Sequence, residues 1–455
     1  MNRIDSSEPG ETSSCATEEA ETESKSMQNT TLNARFNMVT SAGDNAMHGC
    51  PTPKIQKVIF WLRDHKDFKK YFEPRVVSLG PIHLGMPKYQ LGEKYKLVLA
   101  CDFIKSSGKG IRDLYSKIEE KIKELRECYE VEVTKDYNDE SLAWLLFLDG
   151  CAVLQYICCA THKKFKDLNI KMDSVVFGQQ DIFLLENQLP YRLLKWLMSL
   201  SEIKKELEDS INIYFPNQES LHSQEKPEEL RISMDGEPIH LLDLRRTTLL
   251  GKPQPVSDFF QTRQEFKDWQ PYLKLQGLKR VGIHLKPSGN SCLRNISFAK
   301  FLYGRLYLPP ITVDDTTKSK FLNLIAYEMC PNFQNDYGVT SYICFLDELI
   351  DEAKDVMDLR KAGILYHFLS SDEEVAQLFN DISKDLAANP EIYTDVKSQI
   401  HKHFLNKFHR LTFQFMHDHF SAPWTMIIFF FSISALVLSI LQTISLQKNA
   451  SEAAF

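Results

Sequence analysis

The stretch Ser141 to Ala160, SLAWLLFLDGCAVLQYICCA, is nearly all apolar, interrupted only by Asp149, Gly150 and Gln155. At about 1.5 Å per residue it is long enough to approach a hydrocarbon core of about 30 Å. A lone aspartate at mid-span is costly in lipid, so the stretch predicts a buried core helix. The other long apolar run, Pro423 to Leu446 (PWTMIIFFFSISALVLSILQTISL), reads differently. No acidic or basic residue lies between His419 and Lys448. Its helix would be roughly 36 Å long, and its serines and threonines can return their hydroxyls to carbonyls one turn back. A core helix rarely stays charge-free for this length, so this run predicts a membrane span. The expected fold class is mainly α: a multi-helix soluble body, a small antiparallel β element and a single C-terminal transmembrane helix.

Composition agrees with a folded body. Of the 455 residues, 43% are hydrophobic and 25% charged, as in ordinary globular proteins. A net charge of -7, with no basic stripe interleaved with aromatics, argues against nucleic acid as a partner. The ten cysteines show no CxxC pair and no Cys/His metal spacing. Cys151, Cys158 and Cys159 read as buried, reduced thiols. Residues 1–52, acidic and Ser/Thr-rich without an apolar signal region, are expected to be disordered. The folded domain is expected over 53–420, with a polar insertion at about 215–238. The span at 423–446 and a short tail at 447–455 complete the chain. Lys402, Lys407 and Arg410 precede the span and only Lys448 follows, which predicts a tail anchor with a cytosolic body.

Within the body, Ile55, Val58, Ile59 and Leu62 predict a first amphipathic helix, and Pro74 to Pro81 a short strand. Helices are expected over Leu91 to Ser106 and over 111–130. A loose stretch at 251–271 holds Phe259 and Phe260. Val281 to Lys286, Ile296 to Phe298 and Arg305 to Val313 predict a small antiparallel sheet, with Pro309 and Pro310 keeping the last strand at an edge. Tyr342 to Ala362 predicts one helix. Its row of Asp347, Glu348, Asp351, Glu352, Asp355 and Asp358 reads as a solvated face rather than a cation site. Gly363 suits a left-handed cap, and Ser370 to Glu373 a capping box. Residues 391–420, with His401, His403, His409, His417 and His419, predict an interfacial helix approaching the membrane.

The polar trio Glu186-Asn187-Gln188 stands between two apolar turns just before Pro190. Proline breaks the preceding helical hydrogen bonds, so the trio is expected to satisfy backbone groups freed there. The alternative is a catalytic Glu186 in a cleft.

The order of these segments resembles the plant family known as domain of unknown function 247. The blocks that carry the resemblance are VVSLGPIHLGMPKYQLGEKYK (76–96), DIFLLENQLPYRLL (181–194), HLLDLRR (240–246), LPPITVDDTTKSKFLNLIAYEMC (308–330) and the long run 339–385. They place Gly80, Pro81, His83, Glu186, Asn187, Gln188, Pro190 and Asp243 in family motifs. The Gly-Pro turn differs at Ile82 and Leu84, where the family often has an aromatic and a basic residue. The resemblance implies a mostly helical body with little sheet and brings no established catalytic residue, metal or cofactor. Some members are associated with pollen–stigma self-incompatibility in grasses, which implies recognition.

No P-loop, GxSxG elbow, HExxH or kinase motif set occurs in the chain. The expected function is a membrane-anchored, non-enzymatic interaction protein, whose partners are a bilayer, through Pro423, Trp424 and the run to Leu446, and unknown proteins. A hydrolase or transferase using Glu186 with Asp149 or Asp243 is the second reading. A third is an extracellular recognition domain with glycans at Asn29 and Asn295.

Overall fold

The computed structural model describes residues 33–41, 52–64, 66–215, 237–252, 274–300, 303–384, 386–405 and 423–452, the last with side chains at 427, 428 and 430–443. The chain divides into Met1–Thr52 and Pro53–Phe455. In the first unit, residues 33–41 form a helix with every residue exposed, inside the stretch expected to be disordered. The polar insertion at 216–236, the stretch 253–273 with Phe259 and Phe260, and His409, His417 and His419 lie outside the described residues.

The second unit is mainly helical with two small sheets. Asn138 accepts the Ser141 amide through Oδ1 at 2.7 Å and opens the central helix, Asp139–His162. Lys163, left-handed at φ 58°, closes it. As expected, this helix is core: both its faces are buried, including Leu146, Phe147, Cys151, Leu154, Cys158 and Cys159. Helices Gln90–Ser106, Tyr191–Leu200 and Lys204–Tyr214 surround it and complete one apolar core.

A second apolar core joins Leu242, Leu249, Phe321, Leu324, Phe345, Leu346, Val375 and Phe379, from helices Leu241–Leu250, Thr317–Glu328, Gly338–Leu349 and Asp372–Ile382. Against it lie strands β1 (Ile283–Pro287), β2 (Ser297–Lys300), β3 (Gly304–Leu308), β4 (Ile311–Val313) and β5 (Leu365–His367).

The sheet differs from the expected antiparallel one. β3 is its central strand, antiparallel to β2 but parallel to β1, with Ile283 opposite Gly304. The reason is the loop after β1, which carries the chain across so that β1 and β2 flank β3 on opposite edges. Pro309 and Pro310, without amide donors, end β3 and separate it from β4. β4 then pairs in parallel with β5, a strand that three residues were too few to announce.

Other local expectations give way to tertiary demands. Residues 55–59 form no helix, with Ile55 in one core and Val58 in the other, and only Phe60–Arg63, which includes Leu62, is helical. Ile55 also forms a parallel bridge with Tyr129. Residues 74–81 form no strand; side chains, described below, take their amides. The run 111–130 is two helices, Ile111–Glu119 and Ile122–Glu127. The expected single helix Tyr342 to Ala362 breaks at Ile350, and Ala353–Lys361 restarts with a capping box between Glu352 and Asp355.

Asp355 is therefore buried rather than solvated, accepting the amides of Asp351 and Glu352 at 3.0 and 3.2 Å. Gly363, at φ 72°, is left-handed as its place after that helix predicts. The next cap falls one residue later than read, with Ser371 accepting the Glu374 amide. Helix Thr394–Leu405 is not wholly interfacial, since His403 is buried with Nε2 3.0 Å from the Val281 carbonyl.

Candidate functional site

Between the two cores runs the loop 181–190, which leaves helix Met172–Asp181 and enters helix Tyr191–Leu200 at Pro190. Leu185 faces one core and Leu189 the other. A loop in this position cannot use water for its polar groups, so its side chains must supply partners.

Asp181 accepts three successive amides, from Arg75, Val76 and Val77, at 2.8, 2.8 and 2.9 Å. Burial raises its carboxyl pKa against the pull of those amides. Asn187 continues the series. Its Oδ1 accepts the Leu79 amide at 2.7 Å, and its Nδ2 donates to the carbonyls of Val77 and Asp181. The next amide, Gly80, goes to Asp149 Oδ2 at 2.8 Å. Residues 75–80 are thus bonded along one edge by carboxylate and amide side chains where a strand partner would otherwise stand. Gly80 adopts φ 66°, and a Cβ there would lie 3.0 Å from the Gln188 carbonyl, so the turn needs glycine. Pro81 accepts the Tyr137 hydroxyl on its carbonyl at 2.9 Å.

Asp149, at the middle of the central helix, is matched by a second ionic side chain. Lys96 is buried, with Nζ 2.6 Å from Asp149 Oδ1 and 2.9 Å from the Ser78 carbonyl. Burial pushes the Asp149 carboxyl up to about 6, opposed by Lys96 and the Gly80 amide. Burial by itself would depress Lys96; Asp149, together with Glu93 at 2.8 Å, outweighs it and raises the ammonium pKa.

Glu186 Oε1 accepts the Val58 amide at 2.7 Å and pairs with Arg63, while Oε2 lies 3.3 Å from His83 Nε2. Glu186 and His83 are 2% and 5% exposed. Gln188 donates to the carbonyls of Ile182 and Leu184 at 2.7 Å and accepts the Leu242 amide at 3.0 Å. Asp243 takes the Ile239 amide, and His240 Nδ1 takes the Asp243 amide, each at 3.0 Å. Burial raises the Asp243 pKa and drives the His240 pKa down to about 3, leaving that imidazole neutral.

The trio bonds Val58, Val77, Leu79 and Leu242 as well as carbonyls of its own loop. Glu186, Asp149 and Asp243 each have a separate set of partners. The structure does not join them as an acid and base facing a common cleft.

Sequence reading missed Lys96, and it missed a second buried ion pair, Arg246 with Glu328 at 2.7 Å. Glu328 also accepts the amides of Val339 and Thr340, opening helix Gly338–Leu349. Its signal was available: Phe321, Leu324, Ile325 and Glu328 follow the apolar i, i+3, i+4, i+7 pattern, with an acid where a hydrophobe belongs. Among the described residues, Cys158, His162 and Glu206 bring metal-ligating atoms within reach of one another. Cys158 and His162 are four apart on one helix, a spacing that corrects the expectation of none.

The chain belongs to the family described as plant protein of unknown function, domain of unknown function 247, which matches residues 55–438. It is similar to the UPF0481 protein At3g47200 of Arabidopsis thaliana, at 26% identity over 416 residues and 82% of each chain. It is also similar to the UPF0481 protein At3g02645 of the same plant, at 22% identity over 468 residues, covering 82% of this chain and 87% of the relative. No solved structure matches it.

Proposed function

We propose that helix Pro423–Glu452 anchors the chain in a bilayer and that the body it carries is a non-enzymatic interaction module. The observation that carries this reading is the helix's surface. Among its described side chains, at 427, 428 and 430–443, the apolar ones are turned outward, with Ile428, Phe431, Leu436 and Leu438 each more than half exposed. Soluble proteins rarely expose so continuous an apolar surface, and a hydrocarbon core would cover it. Ser432, Ser434 and Thr443 each donate to a carbonyl one turn back at 2.8 Å, so these three hydroxyls need no water. The helix is about 45 Å long, sufficient to cross with both ends in the headgroups.

The polar loop supports a body that recognises rather than transforms. Asp181 is occupied by three backbone amides and Glu186 by the Val58 amide and Arg63, so these carboxylates act as structural ties. The flanking charges favour a cytosolic body. Asn295, the acceptor that a lumenal body would present for glycosylation, is half-buried with its Nδ2 donating to Asn290 at 2.9 Å.

The test is alkaline extraction of membranes carrying the full chain with an N-terminal tag, beside protease protection of sealed vesicles. The full chain should stay in the membrane pellet and the tag should be digested. Release of the full chain by alkali would overturn the anchor, and a protected tag would overturn the cytosolic orientation.

A further inference from the structure

We infer that Cys158, His162 and Glu206 form a zinc-binding site at the C-terminal end of the central helix. Cys158 and His162 lie on one face of that helix, four residues apart, and Glu206 comes from the neighbouring helix Lys204–Tyr214. Cys158 Sγ is 3.8 Å from His162 Nδ1 and 3.7 Å from Glu206 Oε1. All three ligating atoms lie within 4.8 Å of one another. Tetrahedral zinc, with bonds of about 2.3 Å to sulfur and about 2.0–2.1 Å to nitrogen and oxygen, places its ligands about 3.5 Å apart. The observed separations need only small side-chain rotations to close on an ion. The mixed S, N and O set suits Zn²⁺ better than hard cations such as Mg²⁺ or Ca²⁺.

The surroundings set the character of the site. Cys158 is 2% exposed, whereas the Glu206 side chain is 41% exposed and His162 faces solvent. One wall is therefore fixed in the core and the other is open. Three protein ligands leave a fourth position for water, as in open zinc sites.

Three contacts must yield to the ion, the first being Thr161 Oγ1 at 3.1 Å from His162 Nδ1. His162 Nδ1 is 2.9 Å from the Cys158 carbonyl, and Lys164 Nζ is 3.6 Å from Glu206 Oε1. Without metal, burial and the Glu206 charge raise the Cys158 pKa and keep the thiol protonated. On binding, the S–H proton leaves to solvent as the S–Zn bond forms, with no change of oxidation state.

The test uses the detergent-solubilised full chain titrated with Co²⁺ as an optical probe, then with Zn²⁺ in competition. One equivalent of Co²⁺ should give a thiolate-to-cobalt charge-transfer band, and Zn²⁺ should displace it. Losing an outer-shell partner costs a zinc site about 10–100-fold, so C158S and H162A should each weaken binding by about 100-fold or more. E206Q, at an exposed position, should fold normally and weaken binding about 10-fold or more. A band of unchanged strength in C158S would place the metal on another cysteine. A band lost in C158S but unaffected in both H162A and E206Q would also overturn the site.

Discussion

The central helix Asp139–His162 and the C-terminal helix Pro423–Glu452 are both long and apolar, yet the chain buries one and turns the other outward. Hydropathy alone does not separate them. Their polar residues do. Asp149 and Gln155 need partners on other segments, and find them in Lys96, Gly80 and Asp102. Ser432, Ser434 and Thr443 are satisfied within their own helix. An apolar helix that seeks polar partners elsewhere must sit inside a protein, while one that is self-sufficient can face lipid.

The largest effect expected from breaking that distinction is at the Lys96 and Asp149 pair. Lys96→Met leaves a buried carboxylate without its cation and should cost about 3–5 kcal/mol of stability in denaturant titrations of the full chain. Pairing it with Asp149→Leu removes both charges and should restore most of the loss, because two well-packed apolar residues can replace a buried ion pair at little cost. A single variant within about 1 kcal/mol of the parent would mean that packing alone holds the central helix in place.

How much of this could be read in advance depends on distance along the chain. Helices with their own periodicity and caps, such as Asp372–Ile382, were legible because their signals lie within a few residues. The role of Glu186-Asn187-Gln188 was legible in kind, since polar residues before a proline in an apolar setting must serve backbone groups. Its partners were not: Glu186 reaches Val58 across 128 positions and Asn187 reaches Leu79 across 108. No local period encodes such pairings. Lys96 was invisible for a related reason, since lysine is ordinarily a surface residue and its buried partner, Asp149, lies 53 positions away. The break at Ile350 escaped because the apolar spacing continues across it while Asp355 turns inward to cap.

The second effect concerns the C-terminal helix. Ile433→Asp places in it the kind of group that the central helix carries at Asp149, but with no lysine to meet it. On the anchor reading, this should cost about 2.5–3.5 kcal/mol of insertion and shift chain from the membrane pellet to the soluble fraction. The folding midpoint of the body should not move. Unchanged retention, or a loss of body stability, would show that the outward face of this helix is covered by protein rather than lipid.

The smallest expected effect is a separation of the two helices by acid. His240 is buried and neutral, with its pKa lowered from 6.5 to about 3 by burial. Below about pH 6.5 the unfolded chain takes up a proton at this residue, whereas the folded chain refuses it until about pH 3. The folded state therefore loses stability as pH falls through that window, by about 2 kcal/mol at pH 5, and nothing is lost above pH 7. His240→Asn keeps an acceptor for the Asp243 amide but cannot titrate. It should remove that share of the pH 7-to-5 decline, whatever it costs uniformly at all pH values. The run 423–446 has no acidic, basic or histidine side chain, so membrane retention should be flat over the same range. An equal acid slope in parent and variant would mean that His240 already gains its proton in the folded body, and that its cap to Asp243 opens before the cores do.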